Sequence, residues 1–453
     1  MRFATKRVHF TLLLVLLLFA LPAQAVRLAQ GEAGQVAILP LYNTLGGMDT
    51  LIKISNRPEY SAVRLQFRGA AGEPTESLNI YLGPDEAWQA ALSTGVDGPR
   101  LTTTDASCTL VPGEILSAQP LQSELALSQP YGYAEVLLMG HFEADFEPGS
   151  ISQLSCEGLA AEFSDGPWSI NGNTGVLAPT NSLHVHYQLI NVERGTRYGL
   201  DAVHLAQFRD QPFHVPPSEP FGLADAHDDG TATGQTRSLV CDAGCTIETW
   251  ADPRDAVASV LLAVARRVDY VVNPDIGASS SVVVLNPMDP YYVDGEISEP
   301  EAGLYTTDSD AGLVSPFICP PLNPANTLCP PAYRLIQPEA LSAFSVNLDD
   351  SQMPLIRPLP ILEIPGIYPI DDSLTNLGGE LISGSTYVLF PSFGVPSVTS
   401  KGGTAYFGLP SIVVGFTELV NGELDSSSGE AVIANYGSAA FGVKANSVIG
   451  AGH

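Results

Sequence analysis

The sequence predicts a mainly β protein: two immunoglobulin-like or related β-sandwich lobes with one substantial helix at about residues 252–268. Three observations carry this. Short runs that alternate apolar and polar residues, or are rich in β-branched residues, recur between turn signals. Glycine (42 residues) and proline (36) are frequent enough to punctuate the whole chain. One segment stands out for an apolar stripe at helical spacing.

The chain opens with Arg2, Lys6 and Arg7, then an apolar run from Phe10 to Leu21, then Ala23-Gln24-Ala25. A basic start, a short apolar stretch and a small-x-small site predict a signal peptide over 1–25, with the mature chain starting near Val26. The run is too short to cross ~30 Å of hydrocarbon as a helix, which takes about 20 residues. Arg266 and Arg267 interrupt the next apolar stretch, and Pro391 another. The expectation is a soluble, secreted or periplasmic protein with no membrane span in the mature chain.

Strands are expected at "TLIKISN", "SAVRLQFRG", "SLNIYLG" and "YAEVLLMGHFEADFE" in the first part. "SLHVHYQLIN", "SSSVVVLN", "STYVLFPSF" and "SIVVGFTEL" follow. An N-terminal sandwich is placed at 26–165. A second β-rich lobe, with the helix and long Pro-rich loops, takes 166–453. Asp252 suits the N-cap and Pro253 the first helical position. Val257, Val260, Leu261, Val264 and Val268 then form one stripe, and Arg266 and Arg267 would meet the dipole in the last turn. The irregular stretch 210–234 marks a possible boundary, and 298–331 reads as a long loop. The stretch 353–372, rich in proline, should run extended at an edge.

Charge is sparse and acidic: 20 Lys+Arg against 49 Asp+Glu, a net −29. Such a surface repels phosphate backbones, which excludes nucleic acid as a natural partner. An extracellular protein or a carbohydrate is the partner class that remains.

Cys108, Cys156, Cys241, Cys245, Cys319 and Cys329 fall into three local pairs, 108–156, 241–245 and 319–329. An oxidising compartment makes disulfides the default. The alternative at 241–245 is zinc, but no His or Cys lies near in sequence to complete four ligands.

"AILPLYNTLGGMDTLIKISNRPEYSAVRLQFRG", followed by "NIYLGPDEAWQAAL", resembles the opening of a group of exported proteins of Gram-negative bacteria. That group typically starts FPYYT-x-NGG with a later TLI-x-V-x-N; this chain has "LPLY" in place of FPYY. The resemblance continues through "RLTTTDASCT", "INVERGTRYGLDA", "VVVLNPMDPYYVDG" and "GLPSIVVGFTELVNGE…ANYG". It implies export to the periplasm or exterior and carries over no catalytic residue.

His184 and His186 stand at i and i+2 of a strand and so share a face, as metal ligands must. His141 and Glu143, on one face of "HFEADFE", are the candidates to join them. The opposing expectation is a half-buried strand with a wet face. "DAHDDG" (225–230) and "DSDAG" (308–312) are oxygen-rich turns able to hold a structural Ca²⁺, although neither has an EF-hand's twelve-residue spacing. There is no G-x-S-x-G, no P-loop and no dinucleotide fingerprint. Trp88, Trp168 and Trp250 are too few to suggest a sugar-stacking platform. The expected function is therefore a non-catalytic binding or structural module at the cell exterior or in the periplasm. The alternative is a metal-assisted or acid/base hydrolase with its site in the groove between lobes.

Overall fold

Strand Val36–Asn43 is buried at every position, so both of its faces are covered. It carries Pro40, which has no N–H to give the ladder, and the pairing with Tyr131–Phe142 slips there: Tyr42 faces Gly132 but Leu39 faces Ala134. That is the bulge that admits a proline into an interior strand. The computed structural model describes residues 25–29, 31, 33–56, 59–116, 123–142, 155–225, 235–241, 244–272, 277–288, 301–306, 333–334, 340–348, 354–358, 382–390, 398–425 and 431–444.

The described chain is mainly β, in several antiparallel sheets. The largest sheet runs in the order Arg27–Leu28, Val203–Ala206, Val36–Asn43, Tyr131–Phe142, Tyr60–Arg68, Pro74–Leu82, Cys108–Val111 and Glu114–Ile115, with Val176–Leu177 paired to Tyr131–Phe142. A second sheet runs Ser123–Ala126, Gly98–Thr103, Ala87–Gly95, Met48–Asn56, Leu183–Asn191 and Thr196–Asp201. Inward residues such as Ile52, Ile54, Trp88, Leu92, Val185, Tyr187 and Leu189 share a core with Val36, Ile38, Leu65, Ile80 and Val136 of the larger sheet. Trp88 is fully buried and its indole N–H donates to Thr109 Oγ1 at 3.1 Å. Trp168 and Trp250 are buried as well, so none of the three tryptophans offers a stacking surface.

These sheets cross the boundary expected at 165. Strand Leu183–Asn191 lies beside Met48–Asn56, and Val203–Ala206 beside Val36–Asn43. The chain after Cys156 returns to complete the first pair of sheets because their ladders otherwise end at open edges. The irregular stretch after 206 is not a linker at its start. It lies over the outer face of the large sheet, where buried polar side chains hold its carbonyls. Asn79 Nδ2 donates to Val215 O at 2.7 Å, Ser77 Oγ to Pro217 O at 2.6 Å, and Arg64 to the carbonyls of Pro216 and Glu219. Arg68 pairs with Glu135 at 3.1 Å beneath it, and Glu135 also accepts the Leu223 N–H.

Helix α1 (Cys156–Ser164), which the sequence reading did not foresee, starts at Ser155, whose side chain accepts from Gly158 N. Cys156 at its first turn is bonded to Cys108. Helix α2 spans Pro253–Leu261, capped by Asp252 as predicted. The expected extent of 252–268 is too long. From Leu262 the backbone is extended, and Ala265–Val272 is a strand paired to Ile382–Leu389. "ARRVDYVV" fits a strand because Val268, Tyr270 and Val272 are buried while Arg267 and Asp269 face out, a period of two.

Two further sheets follow. One runs Tyr333–Arg334, Glu301–Thr306, Ile382–Leu389, Ala265–Val272 and Val443–Lys444. The other runs Pro354–Pro358, Leu341–Leu348, Ala278–Leu285, Ile412–Asp425 and Ala431–Phe441. Glu301–Thr306, expected within a loop, is thus a strand. Pro354–Pro358 takes an edge, as its prolines require. Cys241 and Cys245 are bonded across the hairpin Arg237–Cys241/Cys245–Thr249, which removes them as zinc ligands. Cys319 and Cys329 lie outside the described residues. No helix among the described residues is long and apolar enough to cross a membrane.

The two pairs of sheets meet directly. Leu341 N of the second pair donates to Ala70 O beside the first at 2.9 Å, and Val26 exchanges backbone bonds with Arg237 and Leu239 of the separate hairpin. Tyr198 packs edge-on against Phe416, with ring centroids 5.6 Å apart.

Candidate functional site

Strand Leu183–Asn191 alternates as its sequence demands. Leu183, Val185, Tyr187 and Leu189 are buried, which turns His184 and His186 together to the opposite face. Neighbouring strands supply the rest of that face. Met48–Asn56 sets Ser55 beside His184 and Lys53 beside His186; Thr196–Asp201 sets Asp201 on the other side of His186. A row of cation, imidazole and carboxylate therefore crosses three strands.

This face forms one wall of a cavity of about 670 Å³ between the two pairs of sheets. Across from it stand Leu261 at the end of α2, Arg266 on strand Ala265–Val272, and Ser411, Ile412, Val413 and Phe441 from the second pair. Leu28, Ala29, Val185, Ala202 and Val203 make the floor largely apolar, and His204 joins the lining.

The three histidines differ in what binds them. His186 Nδ1 lies 3.0 Å from Asp201 Oδ1, and its Nε2 lies 3.1 Å from the amide nitrogen of Gln188. With the amide donating to Nε2, the ring proton sits on Nδ1 and points at Asp201. A general base would need that Nε2 lone pair free for a nucleophile, and Gln188 occupies it. His204 is buried, and its Nε2 accepts the Val185 N–H at 3.0 Å. Burial, then the neighbouring His184, push its pKa down to about 4, so it is neutral at ordinary pH. The His184 ring lies edge-on to His204 with centroids 6.3 Å apart and has no hydrogen-bond partner among the described residues.

His141 is not part of this wall. It is buried in strand Tyr131–Phe142, where Nε2 accepts the Thr180 N–H at 3.1 Å and Nδ1 lies 3.2 Å from Glu59. Burial lowers its pKa against the pull of Glu59. Its Nε2 fastens the loop before residue 183 to the large sheet, while Nδ1 faces Glu59. Glu143 lies outside the described residues, as do 226–230 and 308–312 of the two acidic turns. Among the described residues no group of three or more His, Cys, Asp or Glu is placed to hold a metal ion.

Sequence reasoning found His184 and His186 and missed His204, Lys53 and Arg266. Lys53 had a usable signal, because it alternates outward within "TLIKISN". His204 had none: it reaches the cavity only because the chain crosses from one sheet to the other at Ala202, whose N–H donates to Val185 O. The sequence pattern places Arg266 in the last turn of a helix. Its guanidinium does meet the end of α2, with Nη2 donating to Leu261 O at 3.0 Å, but it does so from a strand.

Compared with family models, curated proteins and solved structures, the chain matches none.

Proposed function

We propose that this is an exported, non-catalytic binding protein built of two β-sandwich lobes, which takes a small ligand in the cleft where they meet. The observation that carries the reading is the cavity of about 670 Å³ with walls drawn from both pairs of sheets. Ligand sites typically measure about 300–1,000 Å³, lie between domains and combine an apolar lining with a few polar groups. Disulfides at 108–156 and 241–245 favour an oxidising compartment, in keeping with export to the periplasm or exterior. The engaged Nε2 of His186 weighs against acid/base hydrolysis in this cleft.

The test is a thermal-shift screen of a chemically diverse small-molecule library against the wild-type protein and Val203→Trp, which fills the floor of the cleft. Some compounds should raise the melting temperature of the wild type and leave the filled variant unchanged. A library that moves neither protein, or moves both alike, removes the cleft as a ligand site. Esterase, glycosidase or protease turnover lost on substituting His184 or His186 would overturn the non-catalytic reading.

A further inference from the structure

Arg266 faces the cavity without a carboxylate partner among the described residues. Its Nη2 donates to Leu261 O at 3.0 Å and its Nε reaches Ser411 Oγ at a long 3.4 Å. Among the described residues nothing accepts a bond from Nη1. The bond to Leu261 O places it at the carbonyl end of helix α2, worth about half a charge at most. Burial brings its pKa down to about 10, which still leaves it a cation at neutral pH.

Lys53 is a second cation on the same cavity, and among the described residues its side chain has no ion pair or hydrogen bond. Among the described residues the one carboxylate on the cavity wall, Asp201, is already bonded to His186. Acids outnumber bases 49 to 20 in this chain, so partners for two cations are plentiful everywhere else. A partly buried guanidinium left without one retains an uncompensated desolvation cost, which an incoming anion offsets. Arginine also presents paired N–H donors that match the two oxygens of a carboxylate or phosphate. Beyond Arg266 the lining turns apolar, through Leu261, Ile412, Val413 and Phe441.

We infer that the cleft binds a small amphiphilic anion, its carboxylate or phosphate head between Arg266 and Lys53 and its apolar body against Ile412, Val413 and Phe441. The inference rests on the cleft reading above and names the ligand class for that same site. His204, neutral and bonded to the Val185 backbone, shapes the floor and adds no charge.

The probes are octanoate, octyl phosphate, octanol and octylammonium, titrated calorimetrically into the full chain. Octanoate or octyl phosphate should bind at one site, and the tighter of the two identifies the head group. Octanol should bind at least tenfold more weakly and octylammonium not at all. Arg266→Gln should weaken the anions roughly tenfold to a hundredfold, the range for charge-assisted hydrogen bonds. Arg266 also ties Leu261 to Ser411, so a second variant tests the same charge from an exposed position: Lys53→Glu should weaken the anions and leave octanol unchanged. If octanol and octylammonium bind as tightly as octanoate, or if both variants leave the anions' affinity alone, the anion assignment is overturned while the cleft reading stands. If none of the four binds although library compounds still stabilise the protein, the anion assignment is likewise overturned. If neither the four probes nor the library engages the protein, both readings fall.

Discussion

Arg194 Nη1 lies 3.3 Å from Glu418 Oε2, an ion pair that joins the loop after strand Leu183–Asn191 to strand Ile412–Asp425 of the second pair of sheets. Glu418 is 5% exposed, whereas the Arg194 side chain keeps about a quarter of its surface in water. Burial pushes the Glu418 pKa up and Arg194 pulls it down. The two deletions should therefore differ. Arg194→Ala strands a buried carboxylate and should cost roughly 3 kcal/mol, near the lower end for breaking such pairs. Glu418→Gln leaves a guanidinium that water can reach and should cost less. Urea denaturation of both variants and of the double mutant measures the difference; equal losses would show that the pair does not hold the joint.

Acid should unfold the protein over a defined window. Burial pushes His204 and His214 down to a pKa of about 4, against about 6.5 in an unfolded chain. Between those values the unfolded chain binds more protons than the folded one, so stability rises with pH across the window. It is fully present above pH ~6.5 and declines as the pH falls toward ~4, by on the order of 3 kcal/mol per site. His214 has no room for a second ring proton: Nδ1 donates to Gly172 O at 2.9 Å and Nε2 accepts from the Tyr81 hydroxyl at 2.8 Å. His214→Gln should flatten part of the acid limb in a plot of urea midpoint against pH. A wild-type midpoint that stays level from pH 7 to pH 4 would contradict the assignment.

The two disulfides should be unequal. Cys108–Cys156 closes a separation of 48 residues, and Cys241–Cys245 one of 4. Loop entropy assigns roughly 4 kcal/mol to the first and about 2 to the second. Paired Cys→Ser variants, melted side by side under the same conditions, should reproduce that order. The reverse order would mean that native-state geometry outweighs chain entropy.

Helix α2 should tolerate no charge on its packed face. Val257 is buried, and the helix lies against strand Arg237–Cys241 and beside Arg27–Leu28 and Leu409–Pro410. Val257→Asp would bury a carboxylate with no partner, at a cost of several kcal/mol, a large share of a typical domain's stability. Loss of soluble protein, or a melting temperature lower by ten degrees or more, is the expected outcome. A variant that melts with the wild type would place the helix outside the joint.

Much of the local structure was legible in the sequence, because it depends on neighbours in the chain. A pleated strand repeats every two residues whatever lies beside it, so "LHVHYQLIN" fixes His184 and His186 on one face before any partner is known. Asp252 and Pro253 start a helix through groups within one turn. The end of that helix depends on tertiary structure. "VARRV" continues a helical stripe and opens an alternating strand equally well, and pairing with Ile382–Leu389, more than a hundred residues on, selects the strand. The same selection moves Arg266 from a helix terminus to the wall of a cavity. The first pair of sheets reaches past residue 165 because its edges find Leu183–Asn191 and Val203–Ala206 in space. Periodicity thus determined which side chains share a face. Which faces meet, and so which of Lys53, His184, His204 and Arg266 share a cleft, was decided by ladders and packing between distant segments, whose energies no local pattern contains.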